Sequence, residues 1–288
     1  MSRWDGKSKG TVLGYQFFLL SLKVFGLNFV YLILRVVSYY YFLFARKNRK
    51  SITDFYVSAL NFSAGKAKKI TRKNFYIFGQ TLVDRAAFLI GKDKQFTFSF
   101  KNENYLQEMQ GQGKGGILLS AHLGNWETAG NLLKERITSK INVLMVNAEA
   151  ENIKNLLESH TGGSNFNIIV INNDLSHIIK VKNALEKNEM IAMHADRYTE
   201  TGKTIEADFL GRKAKFPFGP FLLASKFNVP VSFVFAIKEK KFRYALSATV
   251  PIINKLEPEQ LAKKYIEELE NKVKEHPEQW FNYYNFYE

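Results

Sequence analysis

The chain contains no cysteine among its 288 residues. Disulfide bonds, thiolate metal sites and cysteine nucleophiles are therefore excluded, although this absence does not identify the cellular compartment. The Gly-x-Ser-x-Gly motif of serine esterases is also missing, which disfavours a serine hydrolase. No internal repeat or low-complexity linker divides the chain. Its length suits one large domain with an appendage.

Acidic residues are scarce, because 27 Asp and Glu face 41 Lys and Arg. The resulting net charge of +14, with a pI near 9.6, predicts an anionic partner. Nucleic acid, an anionic membrane surface and an acidic carrier protein all meet that description. The sequence shows no recognisable nucleic-acid-binding module, so we expect no nucleic-acid partner and favour the other two.

The N-terminal part has almost no charge. Residues 11–45 are dominated by Leu, Phe, Val and Tyr and include only two charged side chains, Lys23 and Arg35. A membrane-spanning helix needs about 20 predominantly apolar residues. The basic cluster that follows, Arg46 to Lys50, suits anionic headgroups on a cytoplasmic flank. We therefore predict a membrane anchor over residues 1–46 and one globular domain over residues 47–288.

Three conformations remain open for this anchor. It is one long tilted spanning helix, or a bent pair of helices lying partly in the membrane interface, because Lys23 and Arg35 divide the apolar stretch. The third alternative is a buried core helix. A cleavable signal peptide fits poorly, since the apolar region is too long and no clear small-residue cleavage site follows.

The rest of the chain alternates between two kinds of pattern. Residues 51–91 have helical spacing, and from Phe96 onward short apolar runs alternate with helical periods. The predicted strands are Phe96–Phe100, Gly116–Ser120, Ile141–Asn147, Asn167–Asn172, Met190–His194, Val231–Ile237 and Arg243–Val250. The predicted helices are Trp126–Arg136, Glu149–Ser159, Ser176–Lys187, Gly219–Phe227 and Pro258–Lys274. The pattern predicts an α/β fold whose central sheet, mostly parallel or mixed, is flanked by helices.

The first candidate site follows the strand Gly116–Ser120. His122 comes two residues after its end, and Glu127 stands five positions later across a Gly-Asn turn. Histidine is a ready base near neutral pH, and a nearby carboxylate could fix its tautomer and stabilise the imidazolium. Residues five apart on one helix lie roughly 140° apart, so a contact requires a strand-loop-helix corner. The alternative is a loop histidine beside a solvated acid.

A second group ends the strand Met190–His194. In open α/β sheets ligands bind beyond the carboxyl ends of strands, so Asp196 and Arg197 are expected near His122. Arg197 could hold a phosphate or stabilise an oxyanion, with Asp196 orienting it through an ion pair. The alternative is a structural salt bridge. His194 itself fits a strand residue better than a second base.

A third group lies in the segment before the predicted helix Gly219–Phe227. Gly211 and Gly219 permit tight turns, and Pro217 can preset the entry to the helix. Lys213 and Lys215 alternate with apolar residues, an arrangement that could direct two cations at one anionic ligand. The alternative is a turn with solvated lysines.

These motifs together resemble a known family. The segment His122 to Glu127, Ala195 to Arg197, Phe209 to Gly211 and Phe216 to Pro220 occur in the order seen in bacterial late acyltransferases of lipid A biosynthesis. The wider group is that of the glycerophosphate and lysophospholipid acyltransferases, with their His-x4-Asp/Glu signature. The resemblance covers most of the chain, from the apolar N-terminus to Trp280.

The resemblance implies acyl transfer from a thioester to a hydroxyl or amine at the inner face of the cytoplasmic membrane. It implies His122 as general base, Glu127 as its support and Arg197 near the reaction centre. An acyl thioester is already activated, so no metal or cofactor is expected. Acyl-carrier protein or acyl-CoA would be the donor, and a lipid or glycolipid the acceptor. The expected substrate-binding residues are Asn125, Asp196, Arg197, Lys213, Lys215, Gly211, Pro217 and Gly219.

One departure from the family concerns arginine. The lipid A enzymes usually carry arginines between the His-x4-acid and Ala-Asp-Arg motifs, whereas no arginine lies between Arg136 and Arg197 here. The reaction class is therefore a firmer expectation than a lipid A acceptor, and another glycolipid or an amino-acid lipid stays open. The alternative from a different class is a non-catalytic membrane protein that binds acylated ligands on the same fold.

Overall fold

A computed structural model describes residues 12–126, 137–146, 167–171, 174–199 and 202–287. Within these ranges the helices are α1 Val12–Phe44, α2 Arg46–Ser58, α3 Ala64–Leu89, α4 Asn104–Gly111, α5 Ser176–Glu186, α6 Phe218–Lys226 and α7 Pro258–Glu275. The strands are β1 Thr97–Lys101, β2 Gly116–Ser120, β3 Ile141–Val146, β4 Asn167–Ile171, β5 Met190–His194, β6 Thr204–Phe209, β7 Arg212–Pro217, β8 Val231–Lys240 and β9 Arg243–Ala248.

Seven strands form one sheet in the order β1-β9-β8-β2-β5-β3-β4. The pairs from β8 through β2, β5 and β3 to β4 are parallel, and β9 runs antiparallel to β8. The expected α/β fold with a mixed, mostly parallel sheet is confirmed. The predicted strands Gly116–Ser120 and Met190–His194 have the observed bounds. The central strands form because their apolar residues are covered on both faces.

Each face of the sheet carries its own core. Ile117 and Leu119 of β2 pack on one side with α6, α7 and the C-terminal aromatic residues. Leu118 of the same strand points to the other side, where α1, α3 and α4 lie. This separation follows from the two-residue period of a strand. The sheet thus has no solvent face along its central strands.

Helix α1 bends at Gly26, whose φ of 77° and ψ of 177° are open to glycine but strained for other residues. The bend resembles the predicted pair of helices more than one straight helix. One face of α1, including Leu22, Leu27 and Val30, is buried in the core that covers the sheet. The opposite face exposes Phe17, Leu20, Val24, Phe25, Phe29, Leu32, Val36, Tyr39, Tyr40, Tyr41, Leu43 and Phe44.

Residues Phe17–Phe44 are long and apolar enough to cross a membrane, the one helix of this kind in the described part of the chain. By length and composition alone, a core helix would pass the same test. The apolar outer face distinguishes α1 from a core helix, because a soluble core helix points polar residues outward. Membrane association is therefore indicated, with α1 attached firmly to the globular part.

Two elements lie outside the sequence predictions. Helix α4 was not predicted, and strands β6 and β7 form a separate antiparallel hairpin where the sequence indicated only a turn. The hairpin is short and its exposed residues are charged, so it lacks the continuous apolar run of the central strands. The predicted helices Trp126–Arg136 and Glu149–Ser159 fall almost entirely outside the described residues.

Candidate active site

The site is built where β2 and β5 end side by side. These strands are parallel neighbours, and Ser120 is paired with His194 in their register. The residues that follow each strand therefore leave the sheet at the same edge, the usual place for a ligand crevice. The backbone N–H of Ala195 donates to the Ser120 carbonyl at 3.0 Å, which keeps the two chains together beyond the sheet.

His122 and Asp196 meet at this edge. His122 Nδ1 lies 2.8 Å from Asp196 Oδ1, and the His122 backbone N–H donates to Asp196 Oδ2 at 3.0 Å. One carboxylate thus holds both the main chain and the ring of His122. An imidazole held in this way keeps its proton on Nδ1 and can accept another at Nε2.

Asp196 itself is buried and firmly held. Trp280 Nε1 donates to Asp196 Oδ2 at 3.1 Å. Burial alone would raise the pKa of the Asp196 carboxyl, but the hydrogen bond and charge of His122, helped by Arg197 and His194, hold this pKa well below its usual range. Asp196 is consequently ionised at neutral pH.

The ring of His194 lies against that of His122. The two ring centroids are 4.3 Å apart, and the ring of Trp126 lies 4.9 Å from that of His194 in an edge-on arrangement. His194 therefore contacts both His122 and Trp126. Its position as the last residue of β5 agrees with the expected strand residue.

Residues 121–125, which we term the His122 turn, depend on a glycine. Gly124 has a φ of 75°, and a Cβ atom there would lie 2.0 Å from the Ala236 carbonyl oxygen. The backbone can pass this close only without a side chain. Asn125 follows with its N–H donating to the same carbonyl at 2.8 Å.

The C-terminal segment braces the turn from the other side. Phe281 donates its backbone N–H to the His122 carbonyl at 3.0 Å, and Gly124 donates to the Gln279 carbonyl at 2.9 Å. Sequence reasoning missed these residues as part of the site. Main-chain hydrogen bonds do not depend on the type of residue, so the sequence does not predict them. Trp280 is the one exception, because a large aromatic with a polar N–H near the C-terminus suggests a buried hydrogen bond.

Arg197 lies on the same edge, half-buried. Its guanidinium donates to the Phe281 carbonyl, and its charge is among the causes that lower the pKa of Asp196. The ion pair by which Asp196 was expected to orient Arg197 stays a prediction. Arg197 links the strand end of β5 to the C-terminal segment that supports the turn.

An apolar cavity adjoins this edge. It measures about 750 Å³ including its open mouth, and it extends over one face of the sheet from the strand ends to α4. Its walls are mostly aliphatic and aromatic. The lining residues include Ser120, Trp126 and His194 beside the His122 turn, and Phe100, Leu106, Leu118, Ile141, Val143, Ala192, Val234, Ala236, Leu246 and Ala248 further along.

A comparison with protein families decides the relationship. The family model of bacterial lipid A biosynthesis acyltransferases matches residues 9–285. The chain belongs to this family. It is accordingly an acyltransferase of a membrane-associated kind. No match was found among curated proteins.

The second residue of the family's His-x4-acid motif, Glu127, lies outside the described residues. Its support of His122 stays a prediction. The Nδ1 atom of His122 already has Asp196 as a partner. Among the described residues of this acyltransferase, the acid of the Ala-Asp-Arg motif bonds to the imidazole.

The remaining expected binding residues of the acyltransferase are spread more widely. The side chain of Asn125 is buried and donates to the Thr81 carbonyl and the Tyr244 hydroxyl.

The other expected binding residues lie on the hairpin and at the start of α6. Lys213 and Lys215 face solvent on β7, and Lys213 pairs with Asp208 at 3.1 Å. Gly211 lies in the tight turn of the hairpin, Pro217 ends β7, and Gly219 lies in the first turn of α6. Their contact with a ligand stays a prediction.

One group of side chains in the described residues could hold a metal ion. The ligand atoms of His122, His194 and Asp196 lie within 4.8 Å of one another. Two of these donors already share the hydrogen bond between His122 and Asp196.

Proposed function

We propose that this acyltransferase moves a fatty acyl chain from acyl-carrier protein or acyl-CoA to a hydroxyl or amine of a membrane lipid or glycolipid. The observation that carries the proposal is the imidazole–carboxylate pair of His122 and Asp196 beside an apolar cavity. A base and an acyl-chain site are the two parts that this chemistry requires.

The reaction follows from the pair. Nε2 of His122 takes the proton of the acceptor hydroxyl while the oxygen attacks the thioester carbonyl carbon. The resulting oxyanion collapses, the carbon–sulfur bond breaks, and the leaving thiolate receives the proton from the imidazolium. Asp196 stabilises the positive charge that His122 carries between these two steps, because its low pKa keeps the carboxylate ionised. Glu127 and Arg197 are proposed to add support close to the reacting carbonyl.

The cavity supports a fatty acyl donor. Its walls are mostly apolar, with Lys101 and Glu103 as the Lys and Glu residues among them, and desolvation of a hydrocarbon chain there is favourable. The chain would lie along the sheet face with its thioester beside His194. A small polar acyl group would gain little from such a site.

We expect a phenylalanine at Val143 to shorten the preferred acyl chain. Val143 on β3 lines the cavity, and a ring there takes space from the chain; one methylene in an apolar pocket changes kcat/KM by about 10–200-fold. The kcat/KM for long donors should fall at least about tenfold relative to short donors. Leu144→Phe places a ring on the opposite face of the same strand and should leave the chain-length profile unchanged. An unchanged chain-length profile in Val143→Phe would contradict the proposal that the cavity binds the acyl chain.

The charge of the protein supports an acidic donor. At +14 it would attract an acidic carrier protein or the phosphates of coenzyme A. The acceptor need not carry a phosphate, since residues 137–196 contain no arginine with which to hold one. We propose a lipid or glycolipid acceptor reached from the inner membrane, with the globular part on the cytoplasmic side, where the basic residues 46–50 meet anionic headgroups.

The exposed apolar side chains on the outer face of α1 support this membrane attachment. Deleting the helix would also remove Leu22, Leu27 and Val30 from the core, so surface substitutions are the sharper test. We expect replacement of Leu20, Val24, Leu32 and Val36 by serine to lower binding to anionic vesicles about tenfold or more. Each buried Val or Leu side chain contributes roughly 1.5–3 kcal/mol.

The matched control replaces Leu175, Ile179, Val250 and Ile253 by serine. These four side chains are 61–64% exposed, close to the 58–73% of the α1 set, but lie elsewhere on the surface. Sedimentation with vesicles should show unchanged binding for the control. Equal losses in both sets would mean that α1 is not the membrane-binding element.

The function is tested with the purified full-length protein, a membrane lipid extract, and either acyl-carrier protein or coenzyme A carrying a labelled acyl chain. Mass spectrometry should find the label on a lipid product. Free fatty acid as the sole product would indicate hydrolysis. Donor binding without turnover would indicate a non-catalytic ligand-binding protein, and either result would overturn the proposal.

A further inference from the structure

Two charged side chains are buried together behind the His122 turn. Asp84 of α3 is completely buried, and Lys238 of β8 is nearly so; Lys238 Nζ lies 2.5 Å from Asp84 Oδ2. Both charges are uncommon at core-facing positions, and the proposed reaction uses neither.

Two tyrosines complete the cluster. The hydroxyls of Tyr31 and Tyr244 both donate to Asp84. Lys238 Nζ in turn donates to Tyr31 Oη at 2.9 Å and to Tyr244 Oη at 3.2 Å. All three protons of the ammonium group are thereby used, and both carboxylate oxygens accept. The four residues come from α1, α3, β8 and β9.

Stability alone does not account for such a cluster. Burial raises the pKa of the Asp84 carboxyl and lowers the pKa of the Lys238 ammonium, so the surroundings penalise both charges. Apolar residues of similar volume often serve as well or better in a core. A polar cluster that satisfies all of its donors does provide one defined geometry.

That geometry reaches the His122 turn through Asn125. Its Nδ2 donates to Tyr244 Oη at 3.2 Å and to the Thr81 carbonyl at 3.4 Å. Lys238 acts on the same turn through its main chain, which exchanges hydrogen bonds of 2.8 and 2.9 Å with the Gln279 side chain. Gln279 then accepts from the Gly124 N–H. Both routes end within three residues of His122.

We propose that Asp84, Lys238, Tyr31 and Tyr244 are positioning residues for acyl transfer, which fix Asn125 and thereby the His122 turn. This inference rests on the proposed function, because the positioning role assumes that His122 catalyses acyl transfer. The cluster touches neither the imidazole nor the cavity next to it. It acts by keeping the turn in the one conformation that presents His122 beside the cavity.

Tyr244→Phe tests this role, because it removes the hydroxyl that accepts from Asn125, together with the bonds of that hydroxyl to Asp84 and Lys238 inside the cluster. We expect kcat to fall about tenfold, the effect of losing the one buried hydrogen bond that reaches Asn125, with the KM of the acyl donor within about twofold of wild type. Hydrogen exchange of the peptide containing residues 121–126 should become faster, a readout that needs no turnover.

Ser232→Ala is the matched control. Ser232 is fully buried on the same strand as Lys238, and its hydroxyl donates to the Thr249 carbonyl at 2.8 Å, away from the cluster. The melting temperature should fall in both variants, but kcat and the exchange of residues 121–126 should change only in Tyr244→Phe. Tyr31→Phe, which leaves the Asn125 bond in place, should give a smaller loss of kcat.

The outcomes separate this inference from the proposed function. Unchanged exchange in Tyr244→Phe, faster exchange with unchanged kcat, or an equal loss of kcat in Ser232→Ala would each overturn the positioning role. Absence of transfer by the wild-type protein would overturn the proposed function, and the exchange measurement would then still decide whether the cluster holds the turn.

Discussion

Replacement of His122 by alanine should reduce acyl transfer by about 10⁴-fold while the protein stays folded. General base catalysis contributes about 10²–10⁴-fold, and the imidazole also returns the proton to the leaving thiolate. The side chain is half-buried at the edge of the sheet, and Asp196 retains the main-chain N–H of residue 122 and the Trp280 indole as partners. The loss should therefore appear in kcat, with little change in donor affinity.

The measurement is a steady-state assay with radiolabelled acyl donor, together with a melting curve. His276→Ala, which removes a histidine at the end of α7, is the control and should keep wild-type turnover. Transfer by His122→Ala at more than a tenth of the wild-type rate would exclude this residue as the base.

Asp196→Asn should cost about 10²–10³-fold in kcat, for a different reason. An amide Nδ2–H in place of Oδ1 would donate to His122 Nδ1 and drive the imidazole proton onto Nε2, the nitrogen that must accept the acceptor's proton. The variant would also lack the negative charge that stabilises the imidazolium. Both effects act on the transition state, so the KM of the donor should change little.

The pH profile gives a second readout of this variant. Because its pKa lies below the usual range, Asp196 stays ionised at neutral pH, and its contribution to stability is lost only as the pH falls below about 4. Wild-type activity should therefore show no titration of Asp196 between about pH 5 and 9. Loss of a neighbouring negative charge makes an imidazole easier to deprotonate, so the acid limb of the Asp196→Asn profile should move to lower pH.

Glu127→Gln is the informative companion variant. If Asp196 is the main partner of His122, the glutamine should cost less activity than Asp196→Asn and should leave the acid limb nearly in place. The reverse ranking would assign the orienting role to the His-x4-acid motif instead. Asp208→Asn, which changes an exposed acid that pairs with Lys213, should leave kcat unchanged and controls for the amide replacement.

Much of the fold was predictable because its strands are covered on both faces. Gly116–Ser120 and Met190–His194 are short apolar runs of a kind that buried parallel strands produce. The hairpin of β6 and β7 was missed because its outer face alternates charged side chains, among them Glu206 and Lys215, that resemble a solvated turn. A local sequence pattern predicts a strand most clearly where the strand is fully buried, and this hairpin is only half-buried.

The candidate site was predictable in its residue types but not in its pairings. His122, Asp196 and Arg197 stood out as polar groups after apolar runs, yet the sequence paired Asp196 with Arg197. The structure shows Asp196 bonded to His122, because Ser120 and His194 share a register in adjacent parallel strands. The spacing of residues along the chain does not predict which residues of the two strands are paired.

The cluster behind the turn illustrates the same limit. Lys238 begins the charged run Lys238 to Lys241 at the end of an apolar strand, and Asp84 stands next to Arg85, so neither residue gave a sequence signal for a buried pair. Their partners, Tyr31 and Tyr244, carry no such signal, since tyrosine is common in any core. Only the packing of α1 and α3 against the sheet brings the four residues together.

By itself the amino-acid sequence determined the α/β class, the apolar N-terminal helix, the positive charge and the family motifs, because these depend on local periodicity and residue type. The tertiary structure alone decided that Asp196 bonds to His122, that α1 shares a core with the sheet, and that the C-terminal segment supports the turn. Such contacts join residues far apart in the sequence, such as Tyr31 and Lys238 at 207 positions, and arise only when strand order and register are set.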